Sequence, residues 1–190
     1  MGQMKVINLY WKRRMIETCF ICAMTAFKRL NCEVFRIFRE GERLSFQGNH
    51  QRSESLKLED FTGCLWSISR QIIDHTQDAN LTFIGSCEVL DGRYHETGQM
   101  VFSDGNVFSC TRRYRWRTSA GGVDVHFDDG RFFHQIDLST NSPTATHFCD
   151  PDDYAVFYDF TQWPVWTAIW RVRGTQKNYE MHSCYRKLAF

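Results

Sequence analysis

Apolar and polar residues alternate along the chain from residue 62 onward, and a period of two is typical of β-strands with one buried face. The pattern predicts ten strands: 64–74, 81–90, 93–103, 106–118, 122–128, 131–138, 143–149, 154–160, 165–173 and 177–187. Turn residues separate them, among them Asp91-Gly92, Asp104-Gly105 and Gly121-Gly122, which favour tight hairpins. Short connections of this kind predict antiparallel neighbours in an up-and-down order.

No long helix in this part of the sequence could cover one face of such a sheet. The sheet therefore has to close on itself to hide its apolar side. We predict an all-β fold, an antiparallel up-and-down β-barrel. A barrel of this strand number has an interior wide enough for one small ligand.

The first 55 residues follow a different pattern. Residues 10–40 predict a helical segment, and residues 41–55 are polar and predict a linker. We therefore divide the chain into an N-terminal extension (1–55) and a barrel domain (56–190), with a short helix over 54–61, capped by Ser53, leading into the barrel. The helical prediction rests on apolar positions spaced by three and four residues: Ile16, Phe20, Ala23, Phe27 and Leu30.

The extension also bears on location. Its apolar stretch, residues 15–27, is too short for a transmembrane helix. A helical extension without a separate function, organellar targeting and membrane association all stay open, since a basic, acid-poor start also fits a mitochondrial presequence. We predict a cytoplasmic protein, with the mitochondrion or another organelle as the alternative.

The composition excludes several classes of protein. Apolar residues make up 43% of the 190 residues and aromatic residues 15%, which is enough for a sizeable core. A net charge of +1 gives no global indication of nucleic-acid or anionic-membrane binding. A single CxxC, Cys19 to Cys22, without a second pair does not indicate zinc, and the eight cysteines are expected to be reduced in an intracellular compartment.

Four ionisable residues interrupt otherwise apolar strand faces: Arg70, Glu96, Arg112 and His134. A lone buried charge is very unfavourable, so each must be paired or solvated, and four on separate strands predict a polar pocket. Tyrosines on the same faces, Tyr94 among them, could supply hydroxyls. The predicted ligand-binding residues are Arg70, Glu96, Arg112, Tyr114, Trp116, His134, His147, Tyr154, Tyr158, Tyr179 and Tyr185. The alternative is that Glu96 forms an internal ion pair with Arg70 or Arg112 and no ligand binds.

Residues 61–187 resemble the domain-of-unknown-function family numbered 6314, which is a lipocalin-like (calycin-type) barrel. The resemblance rests on sequence pieces in matching order: Phe61-x-Gly63-x-x-Trp66-x-x-x-Arg70-x-Ile72-x-Asp74, Phe83-x-Gly85, Tyr94-x-Glu96-x-Gly98, Arg113-Tyr114-x-Trp116, Phe127 to His134, His147-x-Cys149-x-x-Asp152-x-Tyr154, Trp170-Arg171-Val172-x-Gly174, Lys177-x-Tyr179 and Tyr185-Arg186. Thr175-Gln176 and Asp150 depart from the family's usual residues, in turns. The resemblance implies a lipocalin-like fold but no established activity.

Three functions are compatible with this pattern. The favoured one is binding of a small molecule with an apolar body and a polar or anionic head. The head would meet Arg70, Arg112 and tyrosine hydroxyls, and a guanidinium suits a carboxylate or phosphate. The second is a cofactor-free lyase or isomerase with Glu96 or His134 as general acid or base. The third is a protein-interaction module with no ligand. The apolar body of a ligand would contact Trp66, Trp116, Phe132 and Trp170.

No cofactor, metal or nucleic-acid partner is predicted, and the sequence does not indicate an oligomeric state. His134, His147 and Cys149 could share a metal, but no further ligand has a fitting spacing. The run Arg112 to Arg117 is basic with interleaved aromatics, a pattern that single-stranded nucleic-acid sites use. Alternation sends its aromatic side chains inward, where they could not stack on bases.

Overall fold

All ten predicted strands form, and the computed structural model describes residues 55–188 of the chain. The all-β, antiparallel prediction is therefore confirmed, whereas the predicted helical extension lies outside the described residues. The strands are β1 (Leu65–Asp74), β2 (Ala79–Leu90), β3 (Arg93–Val101), β4 (Val107–Ser119), β5 (Gly122–Phe127), β6 (Phe132–Asp137), β7 (Thr144–Cys149), β8 (Asp152–Asp159), β9 (Val165–Arg173) and β10 (Asn178–Lys187).

The strands make one antiparallel sheet in the order β6-β5-β4-β3-β2-β1-β10-β9-β8-β7. The first and last strands pair with each other, so the sheet curls into a nearly closed barrel. Its two ends, β6 and β7, share no ladder in the described part of the chain, but Phe133 of β6 and His147 of β7 have ring centroids 5.0 Å apart. Side-chain packing therefore covers the seam that hydrogen bonds leave open.

The hairpins follow the turn residues of the sequence. Asp91 and Gly92 both have positive φ, 50° and 70°, as the tight turns that match the twist of paired strands require. Glycine has a second use where Gly85 and Gly98 lie opposite each other on β2 and β3. A Cβ at Gly98 would lie 2.6 Å from Cζ of Phe83, so glycine there leaves room for the Phe83 ring.

An aromatic plug closes one end of the barrel. Phe61 ends a short 3-10 helix, Leu58–Phe61, and its ring lies 4.9 Å from Trp163, 5.6 Å from Trp116 and 5.9 Å from Trp166. The prediction of a helix over 54–61 is wrong in its extent, because Lys57 is extended and its N–H is held by the Asp60 carboxylate at 2.7 Å. Ser53 and Glu54 lie outside the described residues.

The predicted inner faces agree with the observed burial except on β6. The register between β5 and β6 shifts after Val125, which pairs with His134, because β6 carries one extra residue. Phe132, predicted to face inward, is 53% exposed, and the neighbouring Phe133 is buried instead. The predicted role of Phe132 as a ligand contact is therefore wrong.

Candidate functional site

The barrel interior holds a cavity with two connected chambers. The inner chamber has a volume of about 140 Å³, and the outer one, about 1020 Å³, opens at the end of the barrel opposite Phe61. The mouth lies among the loops that follow β5, β7 and β9. Side chains common to both chambers mark their junction: Arg70, Glu96, Arg112, Tyr114, Phe133, Tyr154 and Tyr179.

The structure brings ten of the eleven predicted site residues together around the inner chamber. His147 lines neither chamber and packs at the seam between β6 and β7, with its ring centroid 5.8 Å from that of Phe127 and 6.2 Å from that of Tyr154. Trp66, predicted as a ligand contact, lies in the plug with Phe61 and Trp166 and lines neither chamber. Alternation predicts which face of a strand a side chain is on. It does not predict that His147 lies near the seam or that Trp66 lies near the closed end.

Arg70 on β1 and Glu96 on β3 form a buried, two-pronged ion pair over the inner face of β2, the strand between them. Nη1 and Nη2 of Arg70 donate to the two carboxylate oxygens at 2.7 and 2.8 Å, and each residue is 3% exposed. Nε of Arg70 donates to Ser183 at 2.7 Å, and the Tyr94 hydroxyl donates to Glu96 at 2.7 Å. Hydrogen bonds and the ion pair within the protein thus satisfy most of the guanidinium and the carboxylate. This is the internal ion pair that the sequence analysis gave as the alternative to ligand binding.

These contacts settle the charge of Glu96. Burial alone would raise the pKa of the carboxyl, but the nearby charges of Arg70 and Arg112 and the hydrogen bonds from Arg70 and Tyr94 lower it to about 2. Glu96 is therefore ionised at neutral pH and has no proton to donate.

His134 lies deeper, on β6, where its Nε2 is 2.8 Å from the Tyr158 hydroxyl. Burial, with a smaller effect of His147, lowers the pKa of His134 to about 3, so the ring is neutral at physiological pH. Within residues 55–188 no three His, Cys, Asp or Glu side chains are placed to hold a metal ion.

The neutral state of His134 predicts acid sensitivity. The unfolded chain takes up a proton near pH 6.5 and the folded one only near pH 3, so stability is complete above pH 6.5 and falls as the pH drops. Between pH 6.5 and 5 the free energy of unfolding should fall by up to about 1.4 kcal/mol per pH unit. Urea unfolding of wild type and His134→Gln at pH 7.5, 6.5, 5.5 and 5 would measure this slope. An equally steep slope in the variant would show that another group causes it.

Arg112 is the charged residue of the interior that the protein leaves without a partner. It is half-buried on β4, lines both chambers, and makes no hydrogen bond or ion pair with any residue in 55–188. Glu96 lies directly opposite it on β3, yet Arg70 and Tyr94 occupy that carboxylate. Burial would lower the pKa of Arg112, but Tyr114 and Glu96 outweigh this and raise it. The guanidinium therefore stays charged and faces the cavity.

Tyrosine hydroxyls flank this guanidinium. Tyr114 lies two residues along β4 on the same inner face, and its hydroxyl makes no hydrogen bond within the described range. Tyr154, nearer the mouth, accepts a hydrogen bond from Lys177 Nζ at 2.9 Å, and the same Nζ pairs with the Asp152 carboxylate. The ammonium group of Lys177 thus has a carboxylate partner, whereas the guanidinium of Arg112 has none within residues 55–188.

Aromatic rings form one wall of the inner chamber. Tyr114 and Trp170 both lie nearly parallel to Phe133, with interplanar angles of 14° and 5° and ring centroids 5.8 and 5.3 Å away. Trp166 stacks on Tyr185 at 3.6 Å elsewhere in the lining. Phe133 is the member that strict alternation misses, since only the extra residue in β6 turns it inward.

Comparisons with known proteins find a family but name no activity. The family model described as a family of unknown function (DUF6314) matches residues 61–187, about two thirds of the chain. No curated protein and no solved structure matches. Within residues 55–188 no helix is long and apolar enough to cross a membrane.

Proposed function

We propose that this chain, which belongs to the DUF6314 family of unknown function, binds a small anionic molecule with an apolar body inside its barrel. The observation that carries the proposal is Arg112, a charged guanidinium directed into an open cavity with no protein partner among residues 55–188. Desolvating such a charge is unfavourable unless an anion or water compensates it. An anionic ligand head would do so with charge-assisted hydrogen bonds.

The shape of the interior supports the same proposal. One end is plugged by Phe61 and the tryptophans around it, and the other opens to a chamber of about 1020 Å³, at the upper end of the range of small-molecule sites. A plugged base, an open mouth and a mixed aromatic and polar lining are what a lipocalin-like binding barrel needs. A barrel serving only to display interaction loops would not need this volume.

The contacts favour binding over the alternative of acid–base catalysis. Glu96 is ionised and engaged by Arg70 and Tyr94, so it is poorly placed to transfer a proton. His134 is neutral, with Nε2 on the Tyr158 hydroxyl. Neither has a pKa near the working pH, which efficient general acid–base residues have.

Replacing Arg112 tests the proposal. With the fluorescent anion 8-anilinonaphthalene-1-sulfonate as probe, Arg112→Gln in the full chain should raise Kd by about 10- to 100-fold, since hydrogen bonds to charged groups contribute about 1.5–3 kcal/mol. Fluorescence titration at fixed ionic strength measures the constant. Gln keeps a polar side chain of similar reach, which limits any effect on the fold.

Arg117→Gln is the matched control, because Arg117 is exposed on the opposite face of the same strand. It should leave Kd within about twofold of wild type. Equal Kd values for wild type and the Arg112 variant would contradict the proposal. So would an equal loss in both variants, which would mean that the probe responds only to net charge.

A further inference from the structure

We infer that the ligand is an aromatic monocarboxylic acid, with one six-membered ring in the inner chamber and its carboxylate on Arg112. This inference rests on the proposed function and narrows it in two respects, the charge of the head and the shape of the body. Each respect has its own observation.

The first observation is the charge balance of the lining. In the inner chamber Glu96 neutralises Arg70, and one positive charge, Arg112, is left. In the outer chamber Asp129 is paired with Arg131 and Asp152 with Lys177, and Asp128 lies near Arg115. A carboxylate, with one negative charge, leaves this lining neutral. A phosphate monoester carries about −1.5 to −2 near pH 7 and leaves an excess negative charge beside four carboxylates.

The donors near Arg112 also suit a carboxylate. The guanidinium offers two parallel N–H groups, which match the two oxygens of a carboxylate. The Tyr114 hydroxyl, two residues away on the same face, adds a third donor. Lys177, the other basic residue close to Tyr154, is engaged by Asp152 and Tyr154, so a second anionic group has no comparable partner there.

The second observation is the size and wall of the inner chamber. Its volume of about 140 Å³ is close to that of an engineered cavity of about 150 Å³ that binds benzene. Aromatic side chains supply much of its lining, Tyr114, Phe133 and Trp170 among them, and a planar ring packs against such rings in offset or edge-to-face geometry. A flexible alkyl chain would fill the same volume but lose more conformational freedom and gain no ring contact.

Isothermal titration of the full chain with four probes tests both parts. trans-Cinnamate should bind with a Kd at least tenfold lower than those of octanoate, which lacks the ring, phenyl phosphate, which carries the extra charge, and cinnamyl alcohol, which has no charge. If octanoate binds as tightly as cinnamate, the inference of an aromatic ring is wrong. If phenyl phosphate binds as tightly as cinnamate, the inference of a singly charged head is wrong. In either case, weaker binding of the sulfonate probe by Arg112→Gln would still support the proposed function. If Arg112→Gln binds that probe as well as wild type does, the proposed function is contradicted too.

Two variants test whether the ring of the ligand occupies the inner chamber. Ala168 lines the inner chamber and not the outer one, so Ala168→Leu should raise the Kd for cinnamate at least tenfold, while Thr167→Leu, on the other face of β9, should not. Val125→Ala enlarges the same chamber and should lower the Kd for 2-naphthoate at least threefold. A gain of this kind cannot come from misfolding. Unchanged cinnamate binding in a folded Ala168 variant, or no gain with Val125→Ala, would contradict the placement.

Discussion

Glu96→Ala is expected to lower the free energy of unfolding by about 3–5 kcal/mol, because it leaves the buried guanidinium of Arg70 without its carboxylate. Domains of this size are stable by only about 5–15 kcal/mol, so the variant should unfold at much lower urea concentration or fail to fold. Urea unfolding followed by tryptophan fluorescence measures the change. Ser183 and Tyr185 stay within reach of Arg70, but neither carries a compensating charge.

Two further variants separate charge from packing. Glu88→Ala removes an exposed carboxylate from the neighbouring strand β2 and should change stability by less than about 0.5 kcal/mol. The double variant Arg70→Met with Glu96→Leu replaces the pair by apolar groups and should be far more stable than Glu96→Ala alone. A single variant as stable as wild type would mean that Arg70 finds another counter-charge. A double variant no better than the single one would assign the loss to packing.

The partner of Glu96 shows what a strand pattern can and cannot predict. Alternation correctly predicts that Arg70, Glu96, Arg112 and His134 all face the interior, because side chains two residues apart share a face. It leaves open which arginine pairs with Glu96. In the ladder Glu96 lies opposite Arg112, yet its partner is Arg70, which is two strands away on β1. Barrel curvature turns inner side chains toward one another, and no one-dimensional pattern contains that curvature.

The errors on β6 and at the plug have local causes. Phe132 and Phe133 are adjacent and chemically identical, and the one that enters the core depends on an extra residue in the ladder. Trp66 is on an inner face as predicted, but its depth along the barrel places it against Phe61 instead of the cavity. Position along the barrel axis depends on strand tilt and stagger, which hydrophobic periodicity does not encode.

The plug has the second large expected effect. Phe61 is 2% exposed, and Phe61→Ala should lower the free energy of unfolding by about 3–5 kcal/mol, because it removes a ring from among several aromatic neighbours that cannot collapse into the space. The same substitution opens the base of the barrel. Chemical denaturation measures the loss, and quenching of tryptophan fluorescence by acrylamide should increase, since Trp66, Trp163 and Trp166 all contact the missing ring.

Phe148→Ala is the control, because its ring is 64% exposed on the outer face and its removal should change stability by less than about 0.5 kcal/mol. The Phe61 variant also tests whether the plug is needed for ligand binding or only for stability. If the plug only supports the fold, Phe61→Ala at temperatures where it stays folded should keep the Arg112-dependent binding of the anionic probe, since Phe61 lines neither chamber. A folded Phe61 variant with full stability would show that the short helix Leu58–Phe61 rests on the barrel without closing it.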